Sequence, residues 1–165
     1  MKKFATRPDE ETQYQVFMNV YEAFKNINLD YKAKYTGFER ILFDSKLLDS
    51  WPIVGISHQA LVVIKENNFS KRNSEIVRGH ITPRIVRAKK LFKYEMSTKE
   101  AYEYYKKNDE VLLITKPQNS RSVDLKKITL YKIDKGIFPW RSGFSASYTD
   151  KALDYLRGLA LKNGI

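Results

Sequence analysis

The chain contains no cysteine and only two histidines. The lack of cysteine excludes disulfide bonds, cysteine nucleophiles and zinc sites built from thiolates. No stretch approaches the ~18 consecutive apolar residues that a membrane span requires. Residues 1–7 include three basic side chains, but they are not followed by the apolar segment of an export signal. These absences predict a cytoplasmic protein that has no membrane partner.

Gly/Ser-rich linkers, internal repeats and low-complexity tracts are also absent from the sequence. Of the 165 residues, 42% are apolar and 13% are aromatic, which is typical of a folded chain rather than a disordered one. A chain of this length can bury a core of its own. The sequence therefore predicts a single folded domain.

Positive charge is distributed unevenly along the chain. The formal net charge is +11, yet residues 1–50 carry eight basic and eight acidic side chains. The excess lies in residues 51–165, and nine basic residues against two acidic ones fall between Lys65 and Lys93. Such a surface attracts a polyanion, since each neutralised phosphate releases counterions. The charge predicts nucleic acid as the partner, and a solvated lysine-rich surface is the alternative.

Local signals in the first 70 residues predict helices. Asp9 and the two acidic residues after it predict a first helix, because acidic side chains favour the positive end of the helix dipole. The capping-box pattern that starts at Thr36 predicts the beginning of a second helix. Ser57 either caps a third helix over 58–67 or precedes a strand over 60–64.

The rest of the chain alternates between predicted strands and helices. Capping boxes that start at Ser97 and Thr115 each predict a helix, and Thr149 caps the last one. The predicted elements are a strand over 74–79, helices over 83–93 and 97–107, strands over 110–115 and 128–133, and the final helix. The sequence thus predicts an α+β fold, with a helical part over residues 1–70 for recognition or dimerisation and a core over residues 71–165.

One stretch of this predicted core, Val77-Arg78-Gly79-His80-Ile81-Thr82-Pro83, places a histidine at the end of a strand-like run. A second strand-like run, residues 110–115, leads to Gln118-Asn119-Ser120-Arg121 at a predicted helix start. This order of parts resembles the HNH, or His-Me finger, nucleases over residues 74–125. The resemblance implies a ββα-metal finger with an inserted helical segment, flanked by N-terminal helices and by a C-terminal strand and helix.

The resemblance also implies roles for individual residues. His80 matches the general base, Asn108 the residue whose carbonyl orients the histidine ring, and Asn119 the metal ligand. A histidine can accept a proton near neutral pH, and Mg²⁺ or Mn²⁺ needs few oxygen ligands from the protein. No zinc site is expected. Gly79 departs from the pattern, since many HNH enzymes have an aspartate there as a second metal ligand.

Basic residues on both sides of His80 are the candidate phosphate contacts. They are Arg78, Arg84, Arg87, Lys89, Lys90 and, after the second strand, Arg121. A basic helix of this kind lies along a phosphate backbone or in a groove. Together with these side chains, the resemblance implies a metal-dependent endonuclease that hydrolyses DNA phosphodiester bonds. A site-specific restriction-type enzyme or a phage or mobile-element enzyme fits this layout.

Other interpretations stay open at this point. Asp109 with Asp124 and Lys126 resembles the D…(D/E)xK pattern of restriction-type nucleases, in which two acids bind the metal and a lysine helps to activate water. A non-enzymatic basic regulator would bind nucleic acid without needing a metal. RNA is open as an alternative substrate, and a homodimer is open as the assembly.

Overall fold

The computed structural model describes residues 8–45, 51–71, 73–120, 123–134, 136–138 and 149–165. This part of the chain has the predicted mixed α+β character, with six α-helices and four β-strands. The helices are α1 (Glu10–Asn26), α2 (Tyr31–Ser45), α3 (His58–Glu66), α4 (Arg84–Phe92), α5 (Thr98–Asn108) and α6 (Asp150–Lys162). The strands are β1 (Ile53–Ser57), β2 (Ile76–His80), β3 (Val111–Thr115) and β4 (Leu130–Lys132).

The chain forms two compact units, each built from two separate stretches of sequence. The helical unit comprises residues 1–51 and 82–110, and the sheet unit comprises residues 52–81 and 111–165. The sequence predicts contiguous parts instead, 1–70 and 71–165. The difference arises because α4 and α5, which lie between β2 and β3 in the chain, pack with α1 and α2. No local pattern marks that association.

Aromatic side chains form the core of the helical unit. Phe17 and Tyr21 of α1 and Phe38 of α2 are fully buried, and the ring centroids of Phe17 and Phe38 lie 5.4 Å apart in an edge-on arrangement. Tyr105 of α5 joins them, with its ring 5.4 Å from that of Phe17. Positions four apart lie on one helix face, so the spacing of Phe17 and Tyr21 directs both into this core.

The prediction that α2 begins at Thr36 is wrong. The helix begins at Tyr31, because the Asp30 carboxylate accepts hydrogen bonds from the backbone N–H groups of Lys32 and Ala33. Thr36 lies within the helix, where its hydroxyl donates to the backbone carbonyl of Lys32 at 2.9 Å. An aspartate six residues earlier therefore takes the role that the sequence pattern assigns to Thr36.

The sheet unit contains one four-stranded mixed sheet in the order β2-β3-β1-β4. β1 and β3 are parallel neighbours at the centre of the sheet. β2 pairs antiparallel with β3 at one edge, and β4 pairs antiparallel with β1 at the other. All five residues of β3 are buried, as its continuous apolar run predicts. β1 has no counterpart among the predicted strands, and Pro52 directly before it indicates the end of a helix rather than the start of a strand.

Helix α3 decides between the two interpretations of residues 58–67 in favour of a helix. The Ser57 hydroxyl accepts from the backbone N–H of Ala60 and so caps the helix that follows β1 directly. The caps predicted at Asp9, Ser97 and Thr149 are confirmed at the starts of α1, α5 and α6. In the part of the chain that the structure describes, no helix has the length and apolar character needed to cross a membrane.

The helix predicted after Thr115 is reduced to a single 3-10 turn, Pro117–Asn119. Half of the expected capping box forms, since Oε1 of Gln118 accepts the backbone N–H of Thr115 at 3.1 Å. The other half does not, and the Thr115 hydroxyl is buried without a hydrogen-bond partner among the described residues. The Gln118 Oε1 atom instead accepts a second hydrogen bond, 2.7 Å long, from the hydroxyl of Ser57.

Candidate functional site

The edge of the sheet at β2 carries the histidine that the sequence singles out. β2 runs antiparallel to β3, with Gly79 opposite Leu112 and His80 opposite Val111. His80 is the last residue of the strand and is partly buried. The chain thus places two helices, α4 and α5, between the antiparallel strands β2 and β3.

Asn119 lies beside Gly79, the residue directly before His80. Its Oδ1 atom is 3.3 Å from the position that a Cβ on Gly79 would occupy, although the two residues are 40 positions apart. The turn after β3 brings Asn119 back to this point, and its side chain is exposed. Positions 79 and 119 are the two that the resemblance associates with the metal, and in the structure they are neighbours.

His80 and Asn119 do not face each other directly. Successive strand residues point to opposite faces of a sheet, so His80 points away from the face on which Asn119 meets Gly79. Arg78 shares the face of His80, and both side chains are partly buried. β2 is an edge strand of the sheet and ends at His80.

The side chain of Asn108 bonds to groups other than the histidine ring that the resemblance predicts it to orient. It is the last residue of α5, where its Oδ1 atom accepts from the Thr82 hydroxyl at 3.0 Å and its Nδ2 atom donates to the Tyr104 carbonyl at 2.8 Å. Its side-chain oxygen thus holds Thr82, two residues along the chain from His80. The side chain of Asn108 thus forms hydrogen bonds within the helical unit.

The prediction that Arg87 contacts nucleic acid does not fit the structure. Its side chain is fully buried and forms ion pairs with Asp109 and Glu39, which are also buried. The Tyr35 hydroxyl donates to the same Glu39 carboxylate at 2.9 Å, and the ring of Tyr35 lies 5.6 Å from the Arg87 guanidinium. The side chain points inward because two carboxylates satisfy it there, so it is not available to a phosphate.

The same cluster argues against the D…(D/E)xK interpretation. Asp109 is 1% exposed, and its carboxylate is occupied by Arg87 and by the backbone N–H of Trp51 at 2.9 Å. Burial raises the pKa of Asp109 to about 7, although Arg87 and the Trp51 N–H act in the opposite direction. A metal ligand must be ionised and reachable, and Asp109 is neither free nor at the surface. Asp124 is exposed, and the side chain of Lys126 lies outside the described part.

The other predicted phosphate contacts differ in how available they are. Lys89 and Lys90 of α4 are exposed. Arg84 is half exposed, but its guanidinium pairs with the buried carboxylate of Glu39. Arg121 lies outside the described residues. The available positive groups in the described part are therefore fewer than the sequence suggests.

A divalent cation would find few protein ligands here. Within the described residues no group of three or more histidine, aspartate or glutamate side chains is arranged to hold a metal. Asn119 supplies one exposed amide oxygen, and Gly79 supplies no side chain where a second ligand would stand. This set fits Mg²⁺ only if phosphate oxygens and water provide most of the coordination, as Mg²⁺ commonly requires.

Some polar contacts in the structure have no signal in the sequence. Glu39 and Tyr35 join the buried cluster from α2, and Glu39 lies 48 residues before its partner Arg87 in the sequence. His58, the second histidine, is exposed with its Nδ1 atom 2.9 Å from the Tyr131 hydroxyl, across 73 residues of sequence. Only the packing of distant elements brings these groups together.

Comparisons with known proteins provide no relative. No family model, no curated protein and no solved structure matches the chain. The resemblance to the HNH nucleases thus depends on the sequence of residues 74–125 alone.

Proposed function

We propose that the chain is a metal-dependent endonuclease that hydrolyses DNA phosphodiester bonds at the edge of β2, with His80 as the general base. The observation that supports this proposal most directly is that Asn119 Oδ1 lies close to Gly79, the residue that precedes His80 in β2. A base, an amide oxygen and the basic side chain of Arg78 are thus found on one short edge strand and the turn next to it.

The reaction requires three contributions from these residues. His80 accepts a proton from a water molecule, whose oxygen forms the new bond to phosphorus while the bond to the leaving deoxyribose oxygen breaks and that oxygen takes a proton from solvent. Arg78 neutralises a non-bridging phosphate oxygen. Asn119 Oδ1 is the protein atom that would hold a divalent cation. A bound Mg²⁺ or Mn²⁺ would stabilise the charge that develops on the phosphate and on the leaving oxygen.

Asn108 is not assigned a step in this proposal, because its side chain binds Thr82 and Tyr104 within the helical unit. Lys89 and Lys90 are proposed as phosphate contacts, whereas Arg87 is removed from that set because it is buried.

The test compares wild-type protein with His80→Ala and with His58→Ala, which removes the other, exposed histidine. Each is incubated with mixed DNA in the presence of Mg²⁺, Mn²⁺ or a chelator. We expect cleavage only with metal, a loss of at least about 100-fold in His80→Ala without loss of DNA affinity, and no change in His58→Ala. Cleavage that survives His80→Ala, or an equal loss of cleavage and binding, contradicts the role of His80.

A second candidate function is non-enzymatic nucleic-acid binding. The observation that favours it is the placement of His80 and Asn119 on opposite faces of β2, together with the small number of metal ligands in the described residues. In that case the protein binds DNA with the same affinity in Mg²⁺ and in chelator, and the DNA stays intact. The banding pattern of any cleavage product separates a site-specific enzyme from a general nuclease, and a parallel RNA substrate tests the alternative polymer.

A further inference from the structure

The exposed face of α4 carries both apolar and basic side chains. Ile85 is 44% exposed and Val86 is 47% exposed. The basic residues Lys89, Lys90 and Lys93 are exposed as well. With 3.6 residues per turn these five positions cover a continuous arc of roughly 140°.

The opposite face of α4 explains why the helix is oriented this way. Ala88 and Leu91 are buried in the core of the helical unit, and Arg87 is fixed by two carboxylates. The orientation of α4 is therefore set by the core, and the five residues face outward as a consequence. We call them the α4 face: Ile85, Val86, Lys89, Lys90 and Lys93.

We propose that the α4 face binds the major groove of double-stranded DNA, with Ile85 and Val86 against thymine methyl groups and the lysines on phosphates. Charge complementarity supports DNA as the occupant, because α4 carries no acidic residue and the chain as a whole carries +11. A helix of ordinary diameter fits the major groove, where the thymine 5-methyl group is the apolar feature of an A·T pair. A lipid surface is less favoured, since surface-bound helices carry bulkier apolar side chains such as Trp, Phe and Leu.

This inference deepens the proposed function, on which it rests for its choice of DNA, by assigning the substrate class and the element that reads it. It predicts that the preferred substrate is duplex DNA with A·T pairs in its site. The apolar side chains supply the preference and the lysines supply sequence-independent affinity, since phosphate contacts carry no sequence information.

The first experiment measures binding in a chelator, so that cleavage plays no part. Random-sequence duplexes are selected by binding to wild-type protein, and the selected duplex is then remade with deoxyuridine in place of thymidine, which removes only the 5-methyl groups. We expect the affinity to fall about fourfold for each methyl group contacted. The double variant Ile85→Ala/Val86→Ala should bind the two duplexes equally, with an unchanged salt dependence.

The second experiment tests the lysines. In Lys89→Gln/Lys90→Gln the affinity loss between about 50 and 200 mM salt should be roughly tenfold smaller than in wild type, as expected for two lost phosphate contacts. The matched control is Lys99→Gln/Lys107→Gln, which makes the same change of charge at exposed positions of α5 and should behave as wild type.

The outcomes separate this inference from the proposed function. Equal binding of thymine and uracil duplexes by wild type, or equal effects of the α4 and α5 lysine variants, overturns the inference even if DNA is cleaved. Binding to vesicles of anionic lipid in preference to DNA overturns it as well. A thymine preference that is lost in the Ile85/Val86 variant supports it even if no cleavage is found, in which case only the proposed nuclease activity fails.

Discussion

Removing the Arg87 side chain should be among the most destabilising single changes in the helical unit. Arg87 is fully buried, and its guanidinium neutralises the buried carboxylates of Asp109 and Glu39. Arg87→Met keeps much of the apolar stem and deletes the charge, so two carboxylates remain buried without their counter-ion. Breaking a buried ion pair by removing one partner costs about 3–5 kcal/mol. Because a domain has only about 5–15 kcal/mol of stability, this is a large fraction of the total.

The measurement is the free energy of unfolding in urea, followed by circular dichroism at about pH 8, above the raised pKa of Asp109. Arg84→Met is the matched control, since Arg84 also pairs with Glu39 but is half exposed to solvent. In Arg84→Met the Glu39 carboxylate keeps its ion pair with Arg87, so the control should lose less free energy than Arg87→Met. The reasoning is refuted if Arg87→Met and Arg84→Met lose the same free energy, or if Arg87→Met loses less than about 1 kcal/mol.

Three further changes test the packing and the caps. A Cβ on Gly37 would lie 2.5 Å from the Phe24 ring, so Gly37→Ala should cost about 1–3 kcal/mol by overpacking, measured by urea unfolding. Ser57→Ala removes the cap of α3 and the hydrogen bond to Gln118, and should cost about 1–2 kcal/mol, whereas loss of less than a few tenths would contradict the capping role. The folded state raises the pKa of Asp109 from 3.8 to about 7, so the folded chain keeps a proton that the unfolded chain releases. Stability from this group is thus present below about pH 4 and lost as the pH rises to about 7, and Asp109→Asn should flatten this part of the stability–pH curve.

Much of the local structure was predictable because its causes are local. The caps at Asp9, Ser97 and Thr149 depend on a side chain and backbone N–H groups within three residues, so the sequence pattern is sufficient to locate them. The strand β3 was predictable for a similar reason, since a run of β-branched and leucine side chains favours a buried strand. Where two local signals compete, as Asp30 and Thr36 do for the start of α2, the pattern alone chose the wrong one.

The candidate site divides in the same way. The sequence identified His80 at a strand end and Asn119 after the next strand, and the structure makes Asn119 and Gly79 neighbours through the pairing of β2 with β3. It could not identify Arg87 as buried, because the burial depends on Glu39 from α2 and on Asp109 at the end of α5. The sequence pattern of a basic residue on an amphipathic helix is the same whether or not that residue forms an ion pair with a distant carboxylate.

The sequence by itself determined the α+β class, most helix boundaries, the positive charge and the order of the candidate residues along the chain. These properties follow from composition, period and capping, which act over a few residues. Only the tertiary structure decided that α4 and α5 pack with α1 and α2, that β1 separates β3 from β4, and that Ile85, Val86 and the lysines of α4 face outward. Those outcomes depend on contacts between residues tens of positions apart, where burial of charge and the fit of aromatic side chains outweigh local preference.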